Sequence, residues 1–298
     1  MYIIPKISNI INTFDFQNNK LEVLTLEELK RTYKENDVYG NPLKGLYHFD
    51  VINRAAEICK AQNLTFEVEE IFATNNKSAQ FPGVSILPQV EERHGTGAIE
   101  AHILRRVYTT INIFDGADEE LTTNIAIAYH QDGVQVAFGP TVKVCHNLCI
   151  MGADRTFSNY GKTKVSNDEI FKSVENWLSD FGNYREADSR IIREMKKIPC
   201  SKDDVFKIIG MLTAIRVGYD NNIGDIKSKL NAYPLNQSQI SQFTEDYLHF
   251  SQIRSNTSLW DIYNLATELY KPGTTDIPNI IPQSVAMMEV LKENYNLF

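Results

Sequence analysis

The chain has 298 residues, 43% of them hydrophobic and 23% charged, an ordinary globular composition that excludes the disordered and fibrous classes. Its net charge of -8 speaks against a general polyanion binder, although a local patch on an acidic protein can still meet nucleic acid. Four irregularly spaced cysteines in so long a chain do not make a disulfide scaffold, and no apolar run reaches the roughly 18 residues of a membrane span.

The N-terminus has a short apolar run broken by Pro5 and lacks the charged start of a signal peptide. The expectation is a reduced, cytoplasmic protein with no membrane contact. Thr25 to Glu28 has capping-box spacing and predicts a short helix to about Lys34. A second helix fits Phe49 to Ala61, with Val51, Ala55, Ile58 and Cys59 near one stripe. The period then changes to two. Thr65 to Ala73 reads as a strand with Phe66 and Val68 on one face, Glu67 and Glu69 on the other.

Phe81-Pro82-Gly83 and Pro88 punctuate a loop-rich stretch. Ile99 to Phe114 is the longest strand candidate. Asn124 to His130 follows, then the Gln131-Asp132-Gly133 turn, then Val134 to Phe138, which together read as a hairpin. Gly139-Pro140 is expected to break the ladder, with Thr141 to Ile150 as a further strand. From Ser166 onward the period is helical: Ser166 to Phe181, Tyr184 to Lys197, a helix capped by Ser201, then Ser238 to Phe250 and Ser258 to Tyr270. Pro282 suits the first residue of a last helix to about Tyr295. Strands segregated before helices indicate an α+β fold with a central, mainly antiparallel sheet and a helical C-terminal half. The expected organisation is one unit over residues 1–298. If it subdivides at all, residues 1–155 hold the sheet and residues 156–298 the helices.

A polar cluster rides on the hairpin and return strand: His130, Asp132, Cys145, His146 and Asn147. On a strand Cys145 and Cys149 would share a face but stand about 13 Å apart, and His146 would face away, so no metal site is expected. Four-residue spacing would work on a helix, but two further ligands would still be needed. A His beside a carboxylate can act as general base, yet Asp and Gly at a hairpin turn are also expected from turn geometry alone. Phosphate loops, nucleophile elbows and HExxH motifs are absent from the sequence, and no cofactor is implied.

Arg105 and Arg106 fall mid-strand with Lys143 on a nearby strand. Aligned on a solvent face they would meet phosphates. Tyr108, Tyr129 and Tyr160 would offer stacking surfaces to single-stranded bases. Arg155, Lys162, Lys164 and the run Arg190, Arg193, Lys196 and Lys197 add positive charge just beyond, offset by Glu100, Glu186 and Glu194.

The ordered set Tyr129 to Gly133, then Phe138-Gly139-Pro140, then Val142 to Leu148, resembles a family of uncharacterised plasmid- and phage-borne proteins, in particular its Bacteroidetes branch. Ser258 to Asn264, with its Trp-x-x-Tyr-Asn helix, is similar to the same group. The resemblance covers the middle sheet and the last third and leaves the first 60 residues unmatched. Gln131 separates His130 from Asp132, where the family usually has the two adjacent. The resemblance implies a mobile-element origin and an intracellular role, and no reaction.

The expected function is therefore that of a non-enzymatic accessory protein of a mobile element that binds nucleic acid, single strands in particular. Arg105, Arg106 and Lys143 would touch phosphate and Tyr108 or Tyr129 would stack. A protein-binding factor that blocks a host defence or restriction protein is the alternative, since an acidic surface can imitate DNA. A hydrolase or nuclease using His130, Asp132 and His146 is the third. The sequence sets no oligomeric state.

Overall fold

The computed structural model describes residues 21–31, 48–74, 106–114, 120–130, 133–142, 147–160, 167–218, 232–254 and 256–297. The chain is α+β, and its described strands form one eight-stranded sheet with every pairing antiparallel. The strands are β1 (Leu21–Leu24), β2 (Thr65–Val68), β3 (Ile71–Thr74), β4 (Val107–Phe114), β5 (Leu121–His130), β6 (Gly133–Val142), β7 (Asn147–Leu148) and β8 (Thr156–Tyr160). The sheet order is β1-β3-β4-β5-β6-β7, with β2 on the far end of β4 and β8 on the far end of β6.

The helices are α1 (Leu26–Arg31), α2 (His48–Ala61), α3 (Asn167–Ser179), α4 (Phe181–Lys197), α5 (Lys202–Val217), α6 (Gln237–Ile253), α7 (Leu259–Thr267) and α8 (Ile277–Tyr295). Their caps follow from local chemistry. Thr25 and Glu28 exchange hydrogen bonds in a capping box ahead of α1, and Ser201, Asn236 and Ser258 do the same for α5, α6 and α7. Gly218 closes α5 at φ 70, a left-handed conformation that suits glycine. No described helix is long and apolar enough to cross a membrane.

Both faces of the sheet are covered. Odd residues of β4 and β5 and even residues of β6 (Ile111, Ile125, Ile127, Val136, Phe138) pack against α1, α2 and α3. The opposite parity is dominated by small side chains, Ala126, Ala128 and Ala137, and faces α4 to α8. Those alanines let α8 lie close along β5 and β6. A strand buried on both faces carries no polar parity, which is why Ile125 to Tyr129 in β5 read as an unbroken apolar run.

The single strand expected over Thr65 to Ala73 is two. Val68 pairs with Ile111 and Phe72 with Tyr108, so three residues, Glu69 to Ile71, oppose two, Thr109 and Thr110. That extra residue is a β-bulge. The Thr109 hydroxyl donates to the Glu69 and Glu70 carbonyls at 3.3 Å each. The bulge shifts the parity, so Phe66 and Val68 before it and Ile71 and Ala73 after it face the same core.

Gly139-Pro140 does not break the ladder. Pro140 pairs with Thr123 inside a continuous β6. The N and C=O of one strand residue point the same way, and the Pro140 carbonyl accepts from the Cys149 N–H at 2.8 Å. The missing proline N–H therefore falls on the β7 side, and the β5 ladder loses nothing. Of the strand expected over Thr141 to Ile150, Thr141 and Val142 belong to β6, Asn147–Leu148 form β7, and residues 143–146 lie outside the described residues. At Gly139 an added Cβ would run into the Cys149 backbone carbonyl, so only glycine lets the return segment cross this closely.

Pro282 is not the start of the last helix but lies inside α8, which begins after Asp276. Its ring removes the N–H that would bond the carbonyl of residue 278. The buried Gln135 side chain of β6 replaces it, donating from Nε2 to the Pro278 carbonyl at 3.1 Å.

Candidate functional site

Of the residues expected to meet nucleic acid, the described ones, Arg106, Tyr108 and Tyr129, do not share one surface. Arg106 stands just before β4, and its Nη1 lies 2.5 and 2.6 Å from the two carboxylate oxygens of Asp276. That pair ties the start of β4 to the cap of α8 and takes Arg106 out of the expected phosphate row. Tyr108 and Tyr129 are 6% and 7% exposed and enter opposite cores. Burial pushes the Tyr108 phenol above its usual range. The Tyr129 ring meets His48 edge-on at 5.6 Å. Neither ring can stack on a base without leaving the core. The expected solvent face is missing because helices cover both sides of the sheet.

His130 and Asn147 are also buried. His130 follows Tyr129 and so points to the other face. Asn147 donates from Nδ2 to the Asn264 carbonyl at 3.1 Å. Arg105, Lys143, Asp132, Cys145 and His146 lie outside the described residues. Cys59, Cys149 and Cys200 are buried free thiols, and burial raises Cys59 and Cys200 to about 11. Such thiols are poor nucleophiles at neutral pH. Among the described residues no three His, Cys, Asp or Glu side chains gather as metal ligands.

A cleft between the start of β5 and α4 is lined by Thr122, Thr123, Arg185, Asp188 and Ser189. Its enclosed part holds about one water molecule. Asp188 comes from the apolar stripe of α4, between Tyr184 and Ile191–Ile192. Burial pushes its carboxyl up to about 6, against the pull of Arg155. Arg155 Nη2 donates to Asp188 Oδ1 at 3.2 Å, Nη1 bonds Asp154 at 2.6 Å, and the guanidinium lies 4.0 Å over the Tyr184 ring. Arg155, expected as exposed positive charge, is thus a buried clamp between α4 and the turn before β8. A carboxylate on an apolar helical stripe was the sequence signal for such a pair.

The cation run of α4 divides in two. Lys196 is paired with Glu120 at 2.6 Å. Arg190, Arg193 and Lys197 are exposed, at i, i+3 and i+7, hence on one ridge of the helix. None of the three enters an ion pair or hydrogen bond among the described residues. Glu186 is exposed and Glu194 half-buried nearby, neither within ion-pair distance of them. Four other arginines, Arg54, Arg106, Arg155 and Arg254, do pair with carboxylates. No family model matches this chain, and neither a curated protein nor a solved structure matches it.

Proposed function

We propose that this protein is a non-enzymatic, nucleic-acid-binding accessory protein of a mobile element, and that the outer ridge of α4 is its contact surface. The observation that carries this reading is the set of three exposed, uncommitted cations, Arg190, Arg193 and Lys197, on one helical edge. Cations left without carboxylate partners are free to replace the counterions of a phosphate backbone. The mobile-element context rests on the resemblance of the Tyr129 to Leu148 motif set. The buried aromatics no longer support base stacking, so contact is electrostatic and independent of sequence. Fluorescence anisotropy of labelled oligonucleotides tests it. Dissociation constants on the order of micromolar at low salt, weakening as salt rises, are expected. No anisotropy change at low salt would sink the proposal.

A further inference from the structure

Resting on the nucleic-acid reading above, we infer that the α4 ridge takes the phosphate backbone of duplex DNA in preference to a single strand. The three cations span seven residues, about 10 Å of helix rise. One phosphate neutralised by each cation sets the contact at about three phosphates.

Among the described residues of α4, the ridge offers charge and no exposed aromatic ring. A single-strand site gains about 1–3 kcal/mol for each base stacked on an aromatic ring. Here the other exposed residues of α4 are Gly182, Asn183, Glu186 and Lys196, Tyr184 lies beneath Arg155, and Tyr108 and Tyr129 are in the cores. A surface with charge alone favours the polyanion with the higher linear charge density. Duplex DNA carries one charge per about 1.7 Å against about 3.4 Å for one strand, and each neutralised phosphate releases more counterion from the duplex. The net charge of -8 repels DNA from the rest of the surface and orients the ridge toward it. Glu186 and Glu194 flank the ridge and hold the contact to three phosphates.

The test uses the full chain, a labelled 20-base-pair duplex and one of its strands alone. Binding to the duplex should be several-fold tighter than to the strand. The slope of log affinity against log salt should be about -2.7, a weakening of about 40-fold between 50 and 200 mM. Changing Arg190, Arg193 and Lys197 together to Ala should abolish duplex binding while circular dichroism and melting stay unchanged. Equal or tighter binding of the single strand would overturn the duplex inference and leave the nucleic-acid reading standing. Duplex binding that survives the triple substitution would overturn the assignment to α4. No binding of either DNA at 50 mM salt would overturn both.

Discussion

Replacing Gln135 by Met should destabilise the protein in a way that removing Pro282 reverses. Gln135 is fully buried in β6, and its Nε2 donates at 3.1 Å to the Pro278 carbonyl, which Pro282 cannot serve. Met preserves most of the volume but offers no donor. The carbonyl is then left without a partner in a partly buried setting, which costs about 1–3 kcal/mol. For a protein of this size the melting temperature should fall by about 2–10 °C. Pro282→Ala restores a backbone N–H one helical turn from that carbonyl. In the Gln135→Met background it should recover most of the loss, while in the wild type the carbonyl already has its donor. A double-mutant cycle by urea denaturation should show a coupling of at least about 0.5 kcal/mol, above the usual error of additivity. Additive effects of the two substitutions would show that Gln135 does not stand in for the missing proline donor.

Gly139→Ala should destabilise by about 1–3 kcal/mol, because the new Cβ meets backbone that cannot rotate away; chemical denaturation reads this, and an unchanged midpoint would contradict the close crossing. Asp188 has a folded value of about 6, above its unfolded one, so its contribution to stability is full below pH 4 and lost as pH rises through 6. The melting difference between wild type and Asp188→Asn should therefore shift against wild type between pH 4 and 7, by at most about 3 kcal/mol, and a pH-independent difference would refute the shifted carboxyl. Arg106→Ala should leave DNA affinity unchanged and cost no more than about 1 kcal/mol, since Asp276 is half exposed; a clear loss of affinity in anisotropy would return Arg106 to the binding surface.

Local patterns in the chain carried the elements well. The capping boxes at Thr25, Ser201 and Ser258 each start a helix, and the hairpin across residues 131–132 joins β5 to β6. The bulge at Glu69–Glu70 is itself written in the sequence as a shift of apolar parity from Phe66 and Val68 to Ile71 and Ala73. It is legible only once the two pairs are known to face one core. Pro140 and Pro282 misled for one reason. A proline forbids a donor, and whether that donor was needed depends on what lies beside it, Cys149 in one case and Gln135 in the other.

The binding candidates diverged further. Residue type and period placed Tyr108, Tyr129 and Arg106 on strands, but burial depends on which layers cover the sheet. Helices on both faces took the tyrosines into two cores, and the cap of α8 claimed Arg106. The α+β class, the antiparallel sheet, most helix positions and the α4 cation run followed from the sequence alone, because short-range periodicity and capping are local properties of the chain. Which cations stay free was decided by tertiary structure. An ion pair between residues 170 positions apart, such as Arg106 with Asp276, exists only after distant segments have been packed together.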